Sequence, residues 1–353
     1  MPKRAGNTEV KQMFSDAGAE VIEETHIRSF SGVNGCRCDS LADRAYAVLS
    51  ALPTAWAARR IVRKIRPDLV HLNTSVLPFA GFGTKWSGLK VPVITHVRES
   101  VLQNWWGRML SAFNRRSADW FVGIDQSGLN QIGPDSDLCS VIPNVVDMEV
   151  LSPSAEAVVS LRSRFNCEDD TVLFVSVCRI TKSNGSLPMA EMLANLKHKL
   201  PNNVQFVFCG FSGSHSEYEK ETLAAIAKSK FVHAMDFTND VASLVAASDV
   251  VMAPFVSAHS ARIVIEGAAL GRPALVTDFP NLREQILVDE SGLVFRFNDP
   301  DSLVNAIQMF SDRSKTAQMG NAARQFAEQN FSPEKNTAEV EEVYMKLCSD
   351  AGE

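Results

Sequence analysis

The residues best suited to chemistry lie in one stretch, residues 248–278, which reads SDVVMAPFVSAHSARIVIEGAALGRPALVTD. Its apolar start predicts a buried strand ending at Pro254, and a helix is predicted to begin near Ala261 or Arg262 and to end at Gly271. A helix N-terminus that follows such a strand presents backbone N–H groups, which bind anions. Glu266, about one turn into this helix, could bind a ribose diol. The alternative of equal weight is that Glu266 only favours the helix dipole.

The elements that must position these residues follow a regular order. Short apolar, β-branched runs alternate with helical patterns, which is typical of parallel sheets covered by helices on both faces. The predicted strands are 19–24, 68–73, 91–97, 118–124 and 139–145 in the first half, and 171–179, 204–210, 230–235, 248–255, 272–278 and 291–297 in the second. Each set can form its own doubly wound sheet, so we expect an α/β protein with its ligand at the carboxyl ends of the strands.

A polar break at residues 146–156 separates the two sets of strands. We therefore predict an N-terminal Rossmann-like domain over 1–150 and a C-terminal Rossmann-like domain over 151–335. Residues 336–353 are predicted to form a helix that packs back on the N-terminal domain. The chain has 353 residues, a length typical of two domains.

Composition excludes several classes of protein. The chain is 45% hydrophobic and 22% charged, which argues against a disordered or fibrous protein. The formal net charge of −6 predicts no binding to nucleic acid. Seven cysteines without paired C-x-x-C motifs indicate free thiols in the cytoplasm, and Cys36-Arg37-Cys38 is too little for a metal site.

Several segments together resemble one family. The helix ending in Gly-x-Pro, VSVCRI, FVFCGF and NDVASLVAASDVVMAPF match in the second half, and PDLVHLNTS, VPVITHVRE and VIPNVVD match in the first. Over about residues 60–345 the chain resembles the family 4 retaining glycosyltransferases. This resemblance implies the GT-B fold, two facing doubly wound domains with a cleft between them. It also implies transfer of a sugar from a nucleotide-sugar donor to a saccharide or lipid-linked acceptor, in polysaccharide or glycoconjugate biosynthesis.

The resemblance also implies roles for individual residues. Glu266 matches the glutamate that holds the donor ribose, and Arg179 matches the arginine that binds the donor diphosphate. His96 matches a histidine beside the transferred sugar. The backbone at His259, Ser260, Ala261 and Arg262 is expected to approach the diphosphate and the sugar, and Gly210 to line the nucleobase pocket. His71, His215 and His233 are interpreted as structural histidines.

Three departures from the family pattern qualify this interpretation. The family's motif has two glutamates separated by seven residues, and Glu266 matches the second. Ala258 occupies the position of the first, which puts the choice of sugar and the activity in question. The diphosphate lysine is replaced by Asn184, and Lys182 on the same loop is the candidate substitute. The family's first strand and glycine-rich loop have no match, so we expect the strand within PDLVHLNTS to have an unpaired edge and an upstream segment to be lacking.

These departures keep two alternatives open. One is a catalytically weakened GT-B protein that binds a nucleotide or glycan, or serves as a partner subunit. The other is a GT-B nucleotide-sugar epimerase, although no matching set of acid and base residues is evident. We predict no essential metal and no cofactor beyond the donor substrate. The D-x-D matches at 135–137 and 299–301 are interpreted as a polar loop and a helix cap.

One helix carries a separate hypothesis about location. Residues 100–117 combine aromatic, apolar and basic side chains, a pattern that also occurs in helices lying in a membrane interface. Ordinary packing of this helix on the N-terminal sheet is the favoured interpretation. The sequence thus predicts a cytoplasmic protein, with weak peripheral membrane contact through 100–117 as the alternative to be tested.

Overall fold

The computed structural model describes residues 8–34, 40–213 and 216–350. The chain divides into two compact units. The first contains residues 1–142 and 339–353, and the second contains residues 143–338. Both are built on wholly parallel sheets, as the alternation of strand and helix patterns predicts.

The first unit has a four-stranded sheet in the order β1-β2-β3-β4. Its strands are β1 (Val70–Leu72), β2 (Val93–Val97), β3 (Trp120–Gly123) and β4 (Cys139–Val141). Its helices are α1 (Thr8–Asp16), α2 (Leu41–Ile65), α3 (Pro78–Lys85), α4 (Trp105–Ser117) and α5 (Gln126–Ile132). Among the described residues no strand precedes β1, which therefore lies at the edge of the sheet.

The strand predicted over residues 19–24 is wrong. These described residues form no strand, and those before Glu24 are exposed or, at Val21 and Ile22, half-buried. Glu24 is the exception, because its buried carboxylate accepts a 2.5 Å hydrogen bond from Arg60 of α2 and a backbone hydrogen bond from His26. An ion pair to a helix, rather than a strand ladder, thus fixes this segment.

The second unit has a six-stranded sheet in the order β10-β9-β8-β5-β6-β7. Its strands are β5 (Val172–Val177), β6 (Val204–Phe211), β7 (Val232–Asp236), β8 (Val250–Ala253), β9 (Ala274–Thr277) and β10 (Gly292–Phe295). Its helices are α6 (Ala155–Arg164), α7 (Ser186–Leu196), α8 (Glu217–Ile226), α9 (Val241–Ala247), α10 (Arg262–Ala269), α11 (Pro280–Arg283), α12 (Pro300–Phe310) and α13 (Arg313–Asn330). All six strands predicted for this half are confirmed.

The last helix, α14 (Pro333–Asp350), belongs to both units. From Glu339 onward it covers one face of the first sheet, where Val343 and Leu347 pack with Ile94 and Trp120. Residues 143–150 lie in the second unit, and Val146 packs there against α10 and α13. The unit boundary therefore falls at residue 142, because the chain after β4 joins the core of the second unit.

Candidate functional site

The order of strands in the second sheet indicates where a ligand would bind. From β5 the chain proceeds outward through β6 and β7 on one side, and through β8, β9 and β10 on the other. The loops after the two central strands, β5 and β8, therefore lead to opposite faces of the sheet. In doubly wound folds this switch point leaves a crevice at the carboxyl ends of the strands, and ligands bind there.

The loops that follow β5 and β8 are joined by hydrogen bonds at this switch point. The backbone N–H of Val256 donates to the carbonyl of Ser183 at 3.0 Å. The side-chain amide of Asn184 donates to the carbonyl of Arg179 at 2.7 Å, and its oxygen lies 3.0 Å from Nε2 of His259. The structure thus brings the predicted residues Arg179 and His259 to one edge.

Two glycines permit close packing of backbone at the same edge. Gly185 has φ of +70°, and a Cβ there would lie 1.8 Å from the carbonyl oxygen of Pro254. Gly210, predicted to line a ligand pocket, has φ of +124°, and its Cβ would lie 2.0 Å from the carbonyl oxygen of Cys178. Only glycine fits either position without moving the backbone.

Two helix N-termini are directed to this edge without side-chain caps. Helix α7 begins after Gly185 and α10 begins after Ala261, and neither N-cap residue makes a side-chain capping bond. By contrast, α8, α9 and α12 of the same unit all begin at a Ser or Asp that caps them. In the first turn of α7, however, the N–H of Leu187 donates to the hydroxyl of Tyr218 at 3.2 Å, and Pro188 has no N–H. Uncapped first-turn N–H groups with the helix dipole behind them favour an anion. The predicted helix from Ala261 or Arg262 to Gly271 is confirmed, and Gly271 has the left-handed φ of +69°.

The start of α10 is fixed by a residue that the sequence analysis missed. Gln285 accepts a 2.9 Å hydrogen bond from the N–H of Ala261 and donates a 3.2 Å hydrogen bond to its carbonyl. Both Gln285 and Ala261 are buried. The clamp holds the loop over residues 256–261 in place, and no local pattern in the sequence marks it.

The charged groups at this edge are of both signs. Arg179 and Lys182 are exposed on the loop after β5. Glu266 on α10 is 15% exposed and accepts a 2.6 Å hydrogen bond from Arg262, which is 74% exposed. Ser260 and Ala258 lie half-buried in the intervening loop. Two cations and one ion-paired carboxylate therefore lie on the elements that border the switch point.

The loop after β6, next to Gly210, is held by a buried carboxylate. Glu219 accepts hydrogen bonds from the backbone N–H groups of Ser212 and Ser216, both at 2.7 Å. These bonds, mainly that from Ser212, lower the pKa of Glu219 to about 2. His215, interpreted above as structural, lies outside the described residues.

In the first unit, His96 lies near the carboxyl end of β2 in contact with His71, which in turn contacts Tyr344. Its Nδ1 is 3.3 Å from Nε2 of His71, and Nδ1 of His71 is 2.6 Å from the hydroxyl of Tyr344. Nε2 of His96 is buried and has no hydrogen-bond partner among the described residues. His71, interpreted above as structural, therefore also helps to position His96.

Burial is the main reason that the pKa of His96 falls to about 3, with smaller effects from Arg98 and His71. The unfolded chain takes up a proton near the ordinary pKa of 6.5, and the folded chain does not. Stability is therefore complete above pH 6.5 and is lost progressively as the pH falls from 6.5 towards 3.

We expect the free energy of unfolding of the first unit to fall more steeply between pH 7 and pH 5 in the wild type than in His96→Gln. The expected difference is about 2 kcal/mol. Tryptophan fluorescence in a urea titration measures it, because all five tryptophans lie in the first unit. Equal pH dependence of the two proteins would contradict a neutral, buried His96.

Helix α4 forms most of residues 100–117, the segment with packing on the N-terminal sheet and membrane contact as its two interpretations. Trp106 is 2% exposed and stacks on Phe30 with 4.8 Å between ring centroids, and Leu110 is fully buried. Phe113 packs in the same cluster, whereas Trp105 is 55% exposed. Most of the apolar side chains of α4 are therefore used by the core of the first unit. No helix in the described part of the chain is long and apolar enough to span a membrane.

Other candidate sites have structural explanations. Asp299 caps α12 by accepting from the N–H of Ser302, as predicted. His233 contacts the side-chain oxygen of Gln205 at 2.8 Å. Within the described ranges, no group of three His, Cys, Asp or Glu side chains could hold a metal ion. Cys36 and Cys38 lie outside the described residues.

The fold and this edge define a class of proteins. Two Rossmann-like units, the second with glycine-dependent loops and a helix N-terminus at its switch point, are the architecture of GT-B proteins. The model of the Glycosyltransferase Family 4 domain matches residues 33–150, and that of Glycosyl transferases group 1 matches residues 160–326. The chain belongs to the family 4 glycosyltransferases.

Individual relatives agree with this assignment. The UDP-Gal:alpha-D-GlcNAc-diphosphoundecaprenol alpha-1,3-galactosyltransferase of Escherichia coli is 20% identical over 91% of this chain and 84% of its own length. The O-antigen biosynthesis glycosyltransferase WclY of Escherichia coli is 26% identical over 53% of this chain and 50% of its own length. The chain spans about half the length of three of the four curated relatives it matches.

Solved structures show the same fold. Anabaena HepE, crystallised in complex with UDP, has a TM-score of 0.77 and 17% identity, covering 96% of this chain and 89% of its own. The Rickettsia africae glycosyltransferase has a TM-score of 0.75 and 18% identity, covering 97% and 88%. The GT-B fold expected from the sequence is confirmed, in that each unit has the Rossmann-like fold of a GT-B domain.

Proposed function

We propose that this protein transfers a sugar from a nucleotide-sugar donor to a saccharide or lipid-linked acceptor, with retention of anomeric configuration. The observation that carries the proposal is the meeting of the N-terminus of α10, which has no side-chain cap, with two glycine-dependent loops at the switch point of the second sheet. Such an edge is suited to a diphosphate. We therefore propose that the donor's nucleotide binds to the second unit.

In this proposal the leaving diphosphate is stabilised by fixed positive groups. Arg179 can bind phosphate oxygens in a bidentate manner, and Lys182 adds a flexible point charge. The first turns of α7 and α10 add oriented N–H groups. Negative charge grows on the diphosphate as the glycosidic bond breaks, so groups fixed in advance lower the barrier. With these cations we assign no metal and no nucleophile to the reaction.

Glu266 is the proposed anchor for the donor ribose. Its carboxylate is mostly buried on α10, about one turn from the N-terminus, and it already accepts a hydrogen bond from Arg262. A carboxylate has enough lone pairs to accept from both hydroxyls of a ribose diol. Because Arg262 is largely exposed, its side chain can move aside when the ribose binds.

The comparisons support a uridine donor. HepE was crystallised with UDP, with UDP-glucose, and with UDP and glucose. The galactosyltransferase relative is named for a UDP-galactose donor and a diphosphoundecaprenol-linked acceptor. We therefore extend the proposal to a UDP-sugar donor and an undecaprenyl diphosphate-type acceptor. His96 of the first unit is proposed to act at the transferred sugar, as the family resemblance implies.

Titration of the purified chain with UDP, GDP and ADP in a calorimeter tests the donor site. We expect one nucleotide, UDP, to bind, and Glu266→Ala to weaken binding by about tenfold or more, because a charge-assisted hydrogen bond contributes about 1.5–3 kcal/mol. Glu328→Ala is the matched control, because Glu328 forms the same i,i+4 ion pair with Arg324 on a different helix, α13. An equal loss in both variants would overturn the assignment.

Nucleotide titration, together with analysis of the products, separates the proposal from its alternatives. A folded protein that binds no nucleotide would favour the weakened or partner-subunit interpretation that Ala258 and Asn184 raise. If a UDP-sugar is converted to a different UDP-sugar without acceptor, the protein is an epimerase. Product analysis by NMR after incubation with the donor alone distinguishes these outcomes.

A further inference from the structure

The contact between Asn184 and His259 limits where protons can lie on the ring of His259. Asn184 stands where the family resemblance calls for a lysine at the diphosphate. Its side-chain nitrogen donates to the carbonyl of Arg179 at 2.7 Å, so its side-chain oxygen is the atom that faces Nε2 of His259 at 3.0 Å. Nδ1 of His259 lies 2.9 Å from the carbonyl oxygen of Ser257.

Both ring nitrogens of His259 thus face atoms that can only accept hydrogen bonds. A neutral imidazole has one N–H and one lone pair, so it satisfies one of these contacts and places a lone pair against an oxygen in the other. Rotating the amide of Asn184 does not remove the conflict, because the oxygen would then face the carbonyl of Arg179. An imidazolium donates from both nitrogens and satisfies every contact.

The surroundings hold the ring in place and oppose its charge when no ligand is bound. The ring stacks on Phe255 with 4.0 Å between ring centroids and an interplanar angle of 7°. Burial and, to a smaller extent, Arg179 lower the pKa of His259, while the hydrogen bond to Ser257 raises it. Lys182 lies on the same loop as Arg179, and on α10 the charge of Arg262 is matched by Glu266.

We propose that His259 takes up a proton from solvent when the donor diphosphate binds, so that the Asn184–His259 pair supplies the positive charge that a lysine would otherwise supply. The pair lies on the loops that lead into α7 and α10, where two phosphate charges would favour the imidazolium. Asn184 accepts from the charged ring and aligns it. This inference rests on the proposed function and assigns His259 a role in donor binding.

The sign of the pH dependence follows from linkage. Binding raises the pKa of His259, so the complex holds a proton that the free protein lacks between the two pKa values. Affinity is greatest below the lower pKa, decreases as the pH rises between the two, and is constant above the higher one. A rise of one unit makes the low-pH affinity about tenfold greater than the high-pH affinity.

Calorimetric titration with UDP-glucose tests the inference. Both phosphates of this probe are diesters, so the probe itself does not titrate near neutral pH. Binding is measured at pH 5.5, 6.5 and 7.5 in two buffers with different enthalpies of protonation, which gives the number of protons taken up. We expect uptake of part of a proton with the wild type and none with His259→Gln.

Two further variants sharpen the test. Asn184→Lys supplies a permanent charge and removes the acceptor for His259, so we expect binding without proton uptake. His233→Gln is the matched control, because His233 is also half-buried and contacts an amide oxygen in the same unit, far along the sheet at β7. Its uptake is expected to equal that of the wild type.

The outcomes distinguish this inference from the proposed function. Binding of UDP-glucose by the wild type without proton uptake would overturn the role of His259 and leave the donor site intact. Uptake that persists in His259→Gln would assign the proton to another group and would also overturn it. If neither UDP-glucose nor GDP-mannose binds to the folded wild type, both the inference and the donor site are wrong.

Discussion

Replacing Gly185 by alanine is expected to abolish nucleotide binding and to lower the free energy of unfolding of the second unit by about 3 kcal/mol or more. The added Cβ would lie 1.8 Å from the carbonyl oxygen of Pro254, at a φ of +70° that alanine rarely adopts. Relief requires the loops after β5 and β8 to separate. That movement displaces both the N-terminus of α7 and the contact between Asn184 and His259.

Two other glycines separate the two causes of the expected loss of stability, which are the positive φ and the clash of the added Cβ. Gly271 has a similar φ of +69°, but an added Cβ would come no closer than 3.8 Å to another atom of the described chain. We therefore expect Gly271→Ala to lower the free energy of unfolding by about 1 kcal/mol, from backbone conformation alone. At Gly213 a Cβ meets no described atom within 4 Å, and we expect no loss. Gly271→Ala should not affect nucleotide affinity, because Gly271 follows the C-terminal end of α10.

Differential scanning calorimetry and nucleotide titration measure the two effects. Calorimetry is needed because the second unit contains no tryptophan, all five lying in the first unit. If Gly185→Ala binds nucleotide as tightly as the wild type, the loops after β5 and β8 do not form the donor site.

The region after β8 could be predicted from sequence because its signals are local. Pro254 ends a buried strand, small polar residues form the loop, and Gly271 ends the helix in a left-handed conformation. Each signal depends on neighbours within one turn or one strand. The continuous apolar runs of the second half identified all six strands for the same reason.

The contacts that complete the sites could not be predicted because they join distant parts of the chain. Asn184 and His259 are 75 residues apart, and His71 and Tyr344 are 273 residues apart. Gln285 reaches Ala261 across 24 residues. The spacing of residue types along a chain does not determine which side chains meet after folding. The sequence therefore predicts only that His71 is a structural histidine.

Residues 19–24 show a different limit. Their β-branched and apolar residues, Val21 and Ile22, satisfy a local strand pattern. A strand also requires a neighbour with which to exchange hydrogen bonds. The described residues place an ion pair with Arg60 there instead. Local propensity therefore predicted the wrong element where the tertiary partner was decisive.

Replacing Arg179 by alanine is expected to lower the rate of donor turnover by about 100-fold and to weaken UDP-glucose binding by about tenfold. Arg179 is exposed at the end of β5, and its carbonyl is held by Asn184, so its guanidinium extends from a fixed backbone. The rate falls more than the affinity because the diphosphate carries more charge when it leaves than when it is bound.

Hydrolysis of UDP-glucose with water as the acceptor measures this rate without knowledge of the natural acceptor. Arg179→Lys should recover part of the rate, because a lysine retains the charge but loses bidentate geometry. Arg324→Ala is the control for loss of an exposed arginine from the same unit. Uridine without phosphate should bind equally to the wild type and Arg179→Ala, because the proposed contact is to the diphosphate alone. If Arg179→Ala weakened uridine and UDP equally, Arg179 would contact the nucleoside, and stabilisation of the leaving group would have to come from the helix N-termini, Lys182 and His259.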